Sequence, residues 1–295
     1  MNLEDTLKGW TGPSSDTEQE KQERTERMIR EAIANHAAFD GFRFSVYTKG
    51  SYANSTNVRA DSDVDVAVQC HEAEYWTEDQ PGSHVSKGTY RGPWTPAKLR
   101  REVGAALRAK FPSQVDDSGS TAFTVKSGTA RVDADVVPCF DFCRYFASGT
   151  THVGTRIVTK DGHHFENYPA QQLKKGKEKN KRTKMFYKPG VRVLKRIEND
   201  MVNAKVHREA PSFFMECLGY NCPDSIFMLP SWTGTVRAAL AHIWTELQGA
   251  EPKLESKRWR EANDCKYLFS GSQDWNRSDG RDFAKAAWNY LGYKP

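Results

Sequence analysis

The run Asp61-Ser62-Asp63-Val64-Asp65-Val66-Ala67-Val68 constrains the fold more than any other segment. In a strand, successive side chains alternate between faces, so Val64, Val66 and Val68 share one face while Asp63 and Asp65 share the other. Such a strand belongs in a sheet with one side against a core and the other lined by carboxylates. Like charges on neighbouring same-face positions repel, and a cation between them is the natural remedy. A calcium loop beginning at Asp61 would need glycine at its sixth position, where Val66 stands, and the valine alternation is wrong for a loop.

Magnesium suits the pair, since it favours carboxylate and phosphate oxygens in octahedral geometry, with manganese as a substitute. Two such ions can activate a ribose hydroxyl and stabilise departing pyrophosphate. A Gly-Ser turn at Gly50-Ser51 precedes the acids and serves the same chemistry. Gly50 lets the backbone come close to a phosphate, and Ser51 offers an N–H and a hydroxyl at the start of a helical turn. A third carboxylate is expected from Arg131-Val132-Asp133-Ala134-Asp135-Val136-Val137, where Asp133 and Asp135 share a face; spacing does not choose between them.

The rest of the chain reads as an α/β half followed by a mostly helical half, with the break between about 150 and 180. Residues 14–38 form a helix capped by Ser14 or Ser15, and Gly41 ends it before a strand at 42–47. A Gly-, Pro- and Ser-rich loop covers 77–97, and Pro96 opens a helix that ends at Pro112. Strand-like runs follow near 113–117, 120–126 and 130–139, and helices dominate after 181. The lysine-rich stretch 174–184 reads as a loop beside a triphosphate site or as solvated charge.

Net charge is +5 with a pI near 8.8, which suits nucleoside triphosphates but falls short of a dedicated nucleic-acid surface. The six cysteines are scattered without Cys-x-x-Cys or zinc spacing, as expected of buried thiols. No apolar run is long enough to span a bilayer, and residues 1–20 lack the features of a secretory signal, so the expected location is the cytoplasm.

These motifs together resemble the cGAS/DncV-like nucleotidyltransferases (CD-NTases). The resemblance is carried by KGSYANSTNVRADSDVDVAV, in which Asp63 follows Gly50 by thirteen residues, and by ADVVPC, ENYP, NKRTKMFYKPGVRVLK and APSFFMECLGYNCPDSIF. It spans roughly residues 40–230 and looks most like clade E, the CdnE-like cyclic dinucleotide synthases. It implies an α+β fold: a polymerase-β-like core of mixed sheet and helices over residues 1–165, then a helical, oligoadenylate-synthase-like domain over 166–295. It also implies Asp135 as the third metal carboxylate beside Asp63 and Asp65, with two Mg²⁺ or Mn²⁺ ions per site.

The implied activity is condensation of nucleoside triphosphates, UTP and ATP foremost, into a uracil-containing cyclic dinucleotide: cyclic di-UMP or cyclic UMP-AMP. In bacteria such a product activates a separate effector protein in anti-phage (CBASS) defence. The resemblance further places Lys195 and Ser212 on phosphate, Phe213 under a base, and Asn167 where an asparagine accompanies preference for uracil. The sequence lacks the Cys/His insertion of the animal DNA sensor, so a nucleic-acid activator is not expected. Two alternatives compete: a nucleotidyltransferase that makes linear products or modifies an RNA or small-molecule hydroxyl, and a nucleotide-binding sensor without turnover.

Overall fold

The computed structural model describes residues 2–13, 15–58, 63–82, 90–271 and 273–294. Ser14, Asp61, Ser62 and the 83–89 part of the expected loop lie outside the described residues. The chain forms two compact units. One comprises residues 14–52 and 59–170 (the sheet unit); the other comprises residues 1–13, 53–58 and 171–295 (the helical unit). This departs from a simple cut at 165/166, because the first thirteen residues and a short central segment pack with the C-terminal helices.

In the sheet unit, helix α2 (Asp16–Ala34) starts at the cap Ser15, whose hydroxyl accepts from the Glu18 amide. Strands β1 (Phe44–Thr48), β2 (Val64–Glu78), β3 (Val115–Asp116), β4 (Phe123–Val125), β5 (Ala134–Tyr145), β6 (Thr151–Val158) and β7 (His164–Asn167) form one sheet. Its order is β1-β2-β5-β4-β3, and β6 pairs with β5 and with β7. Only β2 and β5 run parallel. The long β5 uses one edge twice: residues 134–136 pair with β4, and 140–145 pair with β6.

The valine alternation works as the sequence demands. Val64, Val66 and Val68 are fully buried against Ile29 and Ile33 of α2 and against Leu99, Val103 and Leu107 of α4 (Pro96–Lys110). Thr95 caps α4 and Pro96 sits at its first turn, where a missing N–H costs nothing. Strand β2 runs to Glu78, into the first residues of the segment read as loop.

In the helical unit, α1 (Leu3–Gly9), α5 (Pro169–Arg182), α6 (Tyr187–Asn203), α7 (Ser212–Asn221), α8 (Trp232–Glu246) and α9 (Arg277–Tyr290) enclose a second core. Leu7, Leu194, Ile197, Phe214, Leu218, Leu240, Ile243 and Phe283 lie at its centre. The first helix is held there by Leu7 and by Glu4, whose carboxylate accepts the Trp232 and Thr233 amides at 2.8 and 2.7 Å, at the positive end of α8. The lysine-rich stretch 174–184 is largely helix rather than loop. Lys179 is buried, its ammonium donating to the Cys222 carbonyl and to Asp224, each at 2.7 Å.

Candidate active site

The acids meet where the two parallel strands begin. Asp65 on β2 and Asp135 on β5 are register partners, so their side chains leave the same face one strand apart. Thr124 of β4 is the partner of Asp135 on its other side and donates its hydroxyl to Asp135 Oδ1 at 2.7 Å. The Lys49 ammonium lies 3.3 Å from Asp65 Oδ1, and the Lys49 amide donates to the Asp65 carbonyl at 2.9 Å.

Gly50 adopts φ +69°, and a methyl group there would overlap the Asp65 carboxylate. The glycine is therefore required by the acid itself. Helical turn α3 (Gly50–Ala53) starts at this residue, with Ser51 half-buried in its first turn.

Asp63 is exposed, yet the surrounding protein strips part of its hydration. That loss, followed by the charges of Asp135, Asp133 and Asp65, pushes its carboxyl up to about 6. Asp133 precedes β5, and its Oδ1 accepts the Ser127 amide. Among the described residues no three His, Cys, Asp or Glu side chains converge at metal-holding spacing. The chemistry of the donor set nonetheless fits a divalent cation. Lost hydration and the hard carboxylate oxygens gathered around it both disfavour the charged form of Asp63, and a cation between the acids removes their repulsion.

The other candidates are distributed unevenly. Asn167 ends β7 half-buried, opposite Thr155 of β6, and does not form a turn. Its neighbour Glu166 is held by Arg156 at 2.7 and 3.0 Å. Ser212 is exposed at the start of α7, where Pro211 takes the cap position. Phe213 packs on the helical core, with its ring 6.3 Å from that of Trp275.

Lys195 differs from expectation. It is 2% exposed, and its ammonium lies 3.2 Å from the Thr56 hydroxyl and 3.5 Å from Glu216 Oε2. Glu216 is equally buried and accepts from Asn54 at 2.7 Å, Thr56 at 2.8 Å and Gln172 at 2.8 Å. A buried ammonium committed to a buried carboxylate is not presented to a phosphate. Burial lowers its pKa, and Glu216 opposes that shift. Sequence reading missed Lys49, Thr124 and Glu216. Alternation along the 120–126 strand could have flagged Thr124, while nothing local marks Glu216 as the partner of a lysine on another helix.

A parallel-strand pair bearing facing carboxylates, preceded by a Gly-Ser turn, defines a nucleotidyltransferase of the polymerase-β type. Known proteins narrow the class. A family model described as the cGAS/DncV-like nucleotidyltransferase C-terminal helical domain matches residues 174–292. A cyclic dipyrimidine nucleotide synthase CdnE from Legionella pneumophila is 34% identical, with 99% of this chain and 98% of that one aligned. A cyclic dipurine nucleotide synthase from Elizabethkingia meningoseptica is 30% identical over the full length of both. Among solved structures, the Rhodothermus marinus CdnE c-UMP-AMP synthase, bound to Apcpp and Upnpp, superposes with a TM-score of 0.84 at 26% identity. That match covers 100% of this chain and 98% of the other. The chain belongs to the CD-NTases, within clade E. Enzymes of this kind generally use divalent metal ions. Among the described residues no helix is long and apolar enough to cross a membrane.

Proposed function

We propose that this enzyme joins two nucleoside triphosphates into a uracil-containing cyclic dinucleotide, cyclic di-UMP or cyclic UMP-AMP, as a second messenger for a separate effector protein in anti-phage defence. The observation that carries the chemistry is the Asp65–Asp135 register pair closed against the Gly50 turn. Asp63, Asp65 and Asp135 would hold two Mg²⁺ or Mn²⁺ ions, which would supply Lewis-acid activation of the attacking ribose hydroxyl and charge neutralisation for the departing pyrophosphate. Thr124 orients Asp135, Lys49 orients Asp65, and the Gly50-Ser51 turn receives phosphate through its backbone N–H groups.

Ser212 and Phe213 contribute to nucleotide binding, the first as a hydroxyl donor to phosphate and the second as a ring under a base. Asn167 faces uracil, whose N3–H and carbonyl match one acceptor and one donor of a carboxamide. Relatives described as making cyclic dipyrimidine and cyclic UMP-AMP products support the uracil assignment. The similarly distant dipurine enzyme shows that identity near 30% does not fix the base.

The test is incubation of pure protein with all four triphosphates and Mg²⁺ or Mn²⁺, phosphatase treatment, and mass spectrometry of the resistant product. A uracil-containing cyclic dinucleotide is expected. Linear products alone would overturn the cyclase assignment.

A further inference from the structure

The sheet face that carries Asp65 and Asp135 continues past them. Six residues further along β5, about 20 Å at the rise of a strand and beyond reach of the metal acids, stands Asp141. Its Oδ1 accepts from Gln69 Nε2 at 2.5 Å and lies 2.8 Å from His71 Nδ1. The Gln69 carbonyl accepts from the Tyr47 hydroxyl at 2.6 Å, and His71 Nε2 lies 2.7 Å from Ser45 Oγ. A carboxylate only accepts, so this arrangement assigns the His71 proton to Nδ1 and, in the neutral ring, makes Nε2 the acceptor from Ser45. Every member is locked in direction, while Asp141 Oδ2 takes no partner among the described residues.

The strand register places Asp141 beside Thr155 and Thr155 beside Asn167. Register partners share a face, so Asn167, Thr155 and Asp141 form one row across three strands, with about 10 Å between its ends. One end offers a carboxamide, the other an oriented carboxylate whose Oδ2 meets no partner among the described residues.

We propose that Asp141 is a specificity-determining residue that admits an amino-bearing base (adenine, cytosine or guanine) as the second base and turns uracil away. An exocyclic amino group donates to a carboxylate, as in the pairing of Asp or Glu with cytosine N4. Uracil puts a carbonyl oxygen where adenine or cytosine has its amino group, and two acceptors then face each other. This rests on the reading of Asn167 as the uracil-facing residue, and it narrows the product to a mixed ring.

Asp141→Asn is the informative change. Its carbonyl can still accept from Gln69 and His71, while an N–H₂ donor replaces Oδ2, which inverts polarity at the open position and keeps the network. Wild-type and Asp141→Asn proteins, with Asn167→Ser in parallel, are given equimolar triphosphates and Mg²⁺, and products are quantified by mass spectrometry. The wild type should make rings with one uracil and one amino-bearing base. Asp141→Asn should raise the ratio of cyclic di-UMP to mixed ring by at least about fivefold, the lower end of discrimination by a well-placed base contact.

Cyclic di-UMP as the main wild-type product, or an unchanged ratio in Asp141→Asn, overturns the proposal. If Asn167→Ser alters uracil content while Asp141→Asn changes nothing, the Asn167 reading stands and this one falls; if neither changes the products, both fall. Should Asp141→Asn turn over too slowly to analyse, titration with non-hydrolysable ATP and UTP analogues gives the same ratio. Loss of the wild-type preference for the adenine analogue supports the proposal, and its retention overturns it.

Discussion

Gly50→Ala separates the two reasons for a glycine in the active-site turn. With φ at +69°, any other residue costs about 1–2 kcal/mol of backbone strain. The added Cβ would also overlap the Asp65 carboxylate, with the Asp65 Cγ and Cβ only 3.3 and 3.6 Å away. Either the turn or the acid must shift by a sizeable fraction of an ångström, and displacements approaching 1 Å at reacting groups cost about a hundredfold in rate. Gly41→Ala is the matched control: its φ is +78°, and nothing lies within 4 Å of the added Cβ. Both variants should lose about 2–8 °C in melting temperature, as a 1–2 kcal/mol strain implies for a chain of this size. Only Gly50→Ala should lose turnover, measured as pyrophosphate release, by about a hundredfold. Equal rates in the two variants would refute the claim that the glycine is there for Asp65.

Asp63→Asn, Asp65→Asn and Asp135→Asn should each abolish product formation while leaving a folded protein; a variant that keeps turnover leaves the metal set. Because the folded-state carboxyl of Asp63 is raised to about 6, metal-free protein holds this stabilisation below the ordinary carboxyl range and loses it as pH rises through 6. Melting temperature without metal should therefore fall from pH 5 to 7, flatten in Asp63→Asn, and recover with Mg²⁺. Thr124→Val deletes the 2.7 Å hydrogen bond to Asp135 and should slow turnover about tenfold, with Thr124→Ser restoring it. Glu216→Ala strands the Lys195 ammonium and three donors in the helical core, and should destabilise by about 3–5 kcal/mol in urea titration. A double variant in which Lys195→Met accompanies Glu216→Met should be the milder change, since paired removal leaves no buried charge.

What the sequence disclosed follows from where one physical signal dominates. Period-two valines placed β2 and the face of its acids, and Pro96 announced the start of α4. Strands β6 and β7 were hidden because Thr151–Val158 and His164–Asn167 carry few buried apolar residues, so no alternation stands out. The helix over 169–182 was hidden for the opposite reason. Its charged residues dominate the composition, while the Lys179 ammonium sits over the rings of Tyr187, Tyr220 and Phe227 and finds its counter-ion in a residue distant in sequence, Asp224. Lys195 shows the limit of motif transfer: position along a helix was legible, but not the buried acid on another helix that claims its charge.

The way the backbone is divided between the units bears on how such enzymes diversify. Neither unit is one stretch of chain, since residues 1–13 and 53–58 complete the helical unit from within and before the sequence of the sheet unit. A single crossover between two parent genes would give a helical unit with the wrong 53–58 insert, facing a mismatched Glu216. Exchange of whole modules is thus a poor route to a new product, and replacement of single side chains on a retained frame is the open one. Relatives that align from end to end yet are described as dipyrimidine and dipurine synthases fit that history.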